Sequence, residues 1–258
     1  MKLKELLERV IYYVTVPKCI CCESILDFGD KALCSKCLEE YNSVKMRICS
    51  CCKRPYANCL CSNDYLNKHF VRKLIKCYRY KPSQSIDEKI PSNEVIYHIK
   101  RGYRRDLVDF LSQEIALSIS KSLKYENYII TSVPRSRSRK LKYGIDHSEQ
   151  IAKAVAKKLN IKYMQFLKSK SKKPQKKTHG EERFNNISFD YKINADLNGV
   201  RIILVDDIVT TGASIGGCAM LLKGLGAKEI VGAALSIAFK DKYVPFSNVD
   251  RFDKFIKK

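Results

Sequence analysis

Arg201-Ile202-Ile203-Leu204-Val205-Asp206-Asp207-Ile208-Val209-Thr210-Thr211-Gly212-Ala213-Ser214 is the stretch that decides the fold. The unbroken apolar run from Ile202 to Val205 has the character of a strand buried on both faces, and two carboxylates mark its expected end. Past a short apolar spacer come Thr210, Thr211, Gly212 and Ser214. Apolar residues then recur at helical spacing (Ile215, Cys218, Ala219, Leu222, Leu225) up to Gly226. The order is strand, short loop, helix N-terminus. Glu229 to Ala238 supplies the next apolar strand, which completes a β-α-β unit with a right-handed crossover. The fold class is α/β, a mostly parallel sheet flanked by helices.

This order suits a ribose 5-phosphate. The first N–H groups of a helix have no intrahelical partner and carry partial positive charge, so they hold phosphate when small residues let it approach. Thr210, Thr211 and Ser214 add hydroxyl donors, while Gly212 and Ala213 are small. Two adjacent carboxylates repel each other unless something occupies them, and sugar hydroxyls or hydrated Mg2+ would do so.

Working outward, the 258 residues allow one large or two modest domains. No run of about 18 apolar residues exists, so no membrane span is expected. Residues 1–16 mix charged and apolar positions, which breaks any signal-peptide core and reads as an amphipathic helix. A cytoplasmic protein is inferred. The net charge of +22, from 49 basic and 27 acidic residues, implies an anionic partner, with nucleic acid the leading candidate. Between Pro134 and Lys177 there are 15 basic residues against Asp146 and Glu149, so the surplus is concentrated rather than spread.

Ten of the twelve cysteines fall between Cys19 and Cys61. Without an export signal they point to metal rather than disulfides. The pairs Cys19/Cys22, Cys34/Cys37, Cys49/Cys52 and Cys59/Cys61 have the spacing at which thiolates converge on tetrahedral Zn2+, and four pairs give two structural sites. Sequential pairing is the default. An interleaved arrangement stays open, and Cys51 is an alternative ligand in the second set. A segment this short has no core of its own, so metal would supply most of its folding free energy.

Ser62 to Lys76 reads as a basic linker, Cys77 to Lys81 as a strand, and Pro82 to Pro91 as a turn or short helix. A helix is expected from Leu107 to about Leu123, a strand from Tyr128 to Val133, a helix from Ser148 to Asn160 with His147 as its cap, and a short strand from Phe189 to Ile193. The Lys-rich segment between Phe166 and Ser188 reads as mobile, and residues 240–258 as a frayed tail.

The acid pair followed by Thr-Thr-Gly resembles the 5-phosphoribosyl-1-pyrophosphate (PRPP) signature of the type I phosphoribosyltransferases. That resemblance assigns Asp206 and Asp207 to the ribose and Mg2+, and Thr210, Thr211, Gly212, Ala213 and Ser214 to the 5-phosphate. Over nearly its whole length the chain resembles the ComF family. It shares the cysteine-pair module, Ile96-x-x-Ile99-Lys100-x-Gly102, Val133-Pro134 followed by basic residues, Pro174-Gln175 and Glu182-Arg183-x-x-Asn186. It departs from the family's Arg-Gly-Phe-Asn-Gln, having Tyr143-Gly144-Ile145-Asp146-His147 instead.

The resemblance implies a type I phosphoribosyltransferase-like, Rossmann-like domain at 94–240. It is preceded by a zinc module at 17–61 and a linker with a hood-like segment at 62–93, and followed by a basic tail at 241–258. It further implies a pyrophosphate-facing loop with Arg135 and Ser136 as donors. Handling of single-stranded DNA during DNA uptake, with a competence helicase as partner, is the implied function. An active phosphoribosyltransferase and a PRPP sensor without turnover are the alternatives.

Overall fold

The computed structural model describes residues 14, 16–80, 90–101, 104–136, 146–170, 189–238 and 243–244. In chain order the elements are α1 (Ser35–Lys45), β1 (Ser62–Asn63), α2 (Asp64–Lys68), β2 (Lys73–Arg79), α3 (Pro91–Arg101), α4 (Arg105–Ser122) and β3 (Tyr128–Ser132). There follow α5 (His147–Leu159), β4 (Leu167–Ser169), β5 (Phe189–Tyr191), β6 (Arg201–Val209), α6 (Ala213–Gly224), β7 (Glu229–Ile237) and β8 (Tyr243–Val244). Nearly all of the expected N-terminal helix and of the Lys-rich segment, and most of the basic tail, lie outside the described residues.

Four strands form the central sheet in the order β2-β7-β6-β3, and every pairing in it is parallel. Ile202, Ile203, Leu204 and Val205 are all fully buried, because helices cover both faces of β6. Ile203 and Val205 join α4 and α5 in one core; Ile202 and Leu204 join α6 in the other. The continuous apolar run is thus explained by two-sided burial.

The strand itself runs further than its apolar residues. It continues through both acids to Val209, pairing Asp206 with Ala234, Ile208 with Ser236 and Val209 with Ile237 of β7. On the other edge, pairing with β3 stops at Ser132 opposite Val205. The acids therefore lie where one neighbour has left and the other remains.

After α5 the chain returns along the outer edge of β3. Ile130 N donates to Lys162 O and Met164 N to Ile130 O, each at 2.9 Å, closing a parallel bridge between Ile130 and Tyr163. The chain thus leaves β3 outward by way of α5, and leaves β6 in the opposite direction through α6 to β7. The connections diverge between β3 and β6, which makes that crevice the topological switch point of the sheet.

The segment expected to be a linker is built into the fold. Residues 62–68 form β1 and α2, and β2 starts at Lys73, four residues before the expected strand, as an edge of the main sheet against β7. Its charged ends and buried middle (Leu74, Ile75, Lys76, Cys77, Tyr78) hide a strand whose one buried cation breaks the apolar run. The junction around Ile96 to Lys100 belongs to α3, with Val95, Ile96 and Ile99 on its buried side. Leu167–Ser169, expected to be loose, pairs antiparallel with Phe189–Tyr191.

The cysteine module has no separate core, as expected, yet it does not stand apart. Tyr41 of α1 is fully buried and makes edge contacts with Tyr78 of β2 (5.5 Å between centroids) and Phe110 of α4 (5.3 Å). Lys45 pairs with Glu114 at 2.5 Å across the same seam. The first half of the module is one wall of the α4 side of the core, whereas Cys49, Tyr56, Cys59 and Cys61 belong to the core on the α6 side.

Candidate functional site

Three backbone segments meet at the switch point: the end of β3, the acids of β6 and the start of α5. Gln165 braces the first. Its Oε1 accepts from Ser132 Oγ (2.7 Å) and Tyr163 OH (2.7 Å), and its Nε2 donates to the carbonyls of Ser132 (3.1 Å) and Leu167 (2.9 Å). Val133 N donates to Val205 O at 2.9 Å, the last rung before the chain turns into Pro134, Arg135 and Ser136.

Arg135 reaches across the crevice. Its guanidinium pairs with Asp207, both side chains being mostly buried, and its backbone N–H donates to Asp146 Oδ2 at 3.1 Å. The other oxygen of Asp146 accepts from Glu149 N at 3.2 Å, so Asp146 is the N-cap of α5. The expectation that His147 caps this helix is corrected. His147 is fully buried in the first turn, where burial first and then the nearby Arg135 push its pKa below the ordinary histidine value.

The acids are held by local bonds. Asp206 Oδ1 accepts from Ser148 Oγ at 3.0 Å and from Asp207 N at 2.9 Å; Asp207 Oδ1 accepts from Ile208 N at 2.9 Å. Beyond Val205 the Asp207 amide has no β3 strand to bond, and the short Asp206 side chain satisfies it. Asp206 keeps some contact with solvent. Even so its depth, and then the neighbouring Asp207 carboxylate, hold its pKa well above the ordinary carboxylate value.

The Thr210–Ser214 loop follows at the end of β6, and Gly212 precedes α6 with φ of 87°, a left-handed conformation that favours glycine. A missing side chain here leaves room for a phosphate to approach. The structure adds a second reason: a Cβ on Gly212 would stand 2.7 Å from Leu66 Cγ, and one on Gly216 would stand 2.7 Å from Tyr65 Cε1. α2 packs against the start of α6, and Asn63 Nδ2 donates to Thr211 O at 3.2 Å. Thr211 Oγ1 in turn accepts from Ala213 N at 3.3 Å.

The cysteines gather as the sequential pairing expects. Cys19, Cys22, Cys34 and Cys37 place their sulfurs within 4.8 Å of one another, and so do Cys49, Cys52, Cys59 and Cys61. Four sulfurs on one tetrahedral zinc lie about 3.8 Å apart; Cys22 and Cys34 stand at 3.7 Å. The donor sets fit such an ion, and each can hold one. Cys21 and Cys51 are in neither set.

The two centres are built alike. Lys18 bridges Ile25, Ile48 bridges Pro55, and the residue after each first pair, Glu23 or Lys53, has positive φ (63° and 56°). Cys-x-Cys-Cys at 19–22 and again at 49–52 is the sequence form of this repeat.

Asn63, Leu66, Lys76, Ser148 and Gln165 were not singled out from sequence. Asn63-Asp64 is an N-cap signal that would have found α2. The rest are recognisable only once their partners are in place.

Residues 146–256 match the phosphoribosyl transferase domain family. Competence protein ComFC of Bacillus subtilis is 21% identical over 187 residues, covering 72% of this chain and 75% of that protein. DNA utilization protein YhgH of Escherichia coli K12 is 22% identical over 227 residues, covering 84% and 96%. Among solved structures, the purine phosphoribosyltransferase of Pyrococcus horikoshii is 20% identical with a TM-score of 0.37, covering 56% of this chain and 82% of that one. No helix among the described residues is long and apolar enough to cross a membrane. In its paired cysteines and its overall sequence the chain is similar to these competence and DNA-utilization proteins, and its C-terminal part carries a phosphoribosyltransferase-like domain.

Proposed function

We propose that the crevice between β3 and β6 binds PRPP, or a related ribose phosphate, together with Mg2+. The observation that carries this reading is the position of Asp206 and Asp207, just past the last β3 rung and two residues before the loop that opens α6. Ligands of open α/β sheets bind outside the carboxyl ends of the strands at such a point. Asp206 and Asp207 serve the ribose hydroxyls and the ion, and Thr210 to Ser214 serve the 5-phosphate. Arg135 and Ser136, at the mouth of the crevice, serve the pyrophosphate. Mg2+ would offset pyrophosphate charge. Zn2+ in the two cysteine centres is structural, since four thiolates leave no open coordination position.

We further propose that the protein acts in the cytoplasm on single-stranded DNA during DNA uptake, beside a competence helicase. The charge surplus and the names of the relatives support this. Binding to a single-stranded oligonucleotide is expected to weaken about fiftyfold between 50 and 200 mM salt if about four phosphates are neutralised. An affinity flat across that range removes the nucleic-acid reading.

The alternatives share the same site. Arg135 beside Asp207 favours a working pyrophosphate subsite, hence an active transferase; loss of the Arg-Gly-Phe-Asn-Gln segment favours a sensor that binds without turnover. Pyrophosphate release from PRPP, measured against a panel of nucleobases, separates them.

A further inference from the structure

Cys61, a sulfur donor of the second centre, lies only two residues before Asn63. Asn63 serves two elements at once. Its Oδ1 accepts from Leu66 N at 2.9 Å, which starts α2, and its Nδ2 donates to the carbonyl of Thr211 at 3.2 Å. α2 then lays Leu66, fully buried, into the space that a side chain on Gly212 would need.

The same donors are tied to the sheet from behind. Lys76 of β2 is fully buried, and its Nζ donates to the carbonyls of Cys61 (2.6 Å), Cys59 (3.1 Å) and Leu74 (3.1 Å). Leu74 N donates to Leu60 O at 3.1 Å, and Ser62 Oγ to Val71 O at 3.0 Å. Four thiolates around a divalent ion leave two negative charges, of which a buried ammonium at the ligand carbonyls offsets one. The first centre has no comparable path among the described residues: Cys19 and Cys37 belong to the α4 core, on the other side of the sheet from α6.

We propose that the second cysteine centre anchors the Thr210–Ser214 loop, with Asn63 as the positioning residue between them, so that metal occupancy of this centre sets the loop's affinity for a phosphate ligand. The last clause rests on the PRPP reading above; the anchoring does not. The ion fixes Cys61, Cys61 places Asn63, and Asn63 with Leu66 holds the backbone that would cradle the phosphate. A loop held in this way loses little freedom when its ligand arrives.

The test uses the full chain loaded with Co2+, whose thiolate absorption counts the occupied centres. Asn63→Asp keeps a side-chain acceptor oxygen to cap α2 but cannot donate to Thr211. It is expected to retain both Co2+ centres, to speed amide exchange in peptides spanning 208–216 about tenfold, and to weaken PRPP with Mg2+ about tenfold in calorimetry. Cys59→Ser, short of Co2+ in the second centre, is expected to speed the same peptides while peptides from α4 keep their wild-type rates. Wild-type exchange over 208–216 in Asn63→Asp, with normal PRPP binding, overturns the anchor alone. Altered exchange in a chain whose wild type binds no PRPP overturns the phosphate reading and leaves the anchor standing.

Discussion

Replacing both acids, Asp206→Asn with Asp207→Asn, is expected to abolish PRPP binding, a loss of at least about a hundredfold. Each carboxylate facing a sugar hydroxyl is worth about 1.5–3 kcal/mol as a charged acceptor. Two together account for about 3–6 kcal/mol, or two to four decades in Kd. Asn keeps the size and one acceptor oxygen, so the bonds that Ser148, Asp207 N and Ile208 N make with these side chains can persist. Loss of binding by a chain that keeps its far-ultraviolet dichroism and a cooperative unfolding transition would therefore report the charge. Calorimetry showing wild-type affinity would sink the assignment of the site.

Asp206 should make the stability of the fold depend on pH. Asp206 is held well above its ordinary value of 3.8, first by burial and then by Asp207. An unfolded chain ionises this group near pH 4, while the folded chain retains the proton to higher pH. Over that window the unfolded state binds fewer protons, so folded stability falls as pH rises. Asp206→Asn removes this contribution. Its Tm, followed by thermal scanning, should rise relative to wild type more at pH 7.5 than at pH 4; an equal shift at both values would mean that the group titrates normally in the folded chain.

The β-α-β unit was readable because its residues agree at every level. Ile202 to Val205 are apolar on both faces, the loop is short, and the helix repeats its apolar residues on one side. β2 was not readable in that way. Lys76 looks like a solvated charge in the sequence, and only the carbonyls of Cys59, Cys61 and Leu74 explain its burial. The end of β6 was misplaced for a related reason: strand pairing depends on which neighbours persist, and β7 continues where β3 stops. At the site, Asp207 was legible as chemistry, but its partner Arg135 lies 72 residues away, and no local pattern joins them. Gly212 shows how one residue can satisfy two demands: its small size and positive φ suit a phosphate loop, and Leu66 needs the same space.

Removing metal from both centres is expected to lower Tm by at least about 10–20 °C. Structural zinc in small modules contributes about 10–16 kcal/mol of apparent binding free energy. Retention of even about 5 kcal/mol of that in this chain gives the stated shift at about 2–4 °C per kcal/mol. The effect should not stay within residues 17–61. Cys19, Ile20, Leu26, Leu33 and Cys37 pack in the same core as Leu107, Phe110 and Leu111 of α4, and Tyr41 lies between Tyr78 and Phe110. Loss of the module would expose that face of α4 and the tyrosine pair together. The chain has no tryptophan, so near-ultraviolet dichroism reports tyrosine with little competition. A loss of that signal in step with metal release, measured with a chromophoric chelator, is the expected result. Stoichiometric release that leaves both Tm and the tyrosine signal in place would show that packing against α4, rather than the ion, holds the module folded.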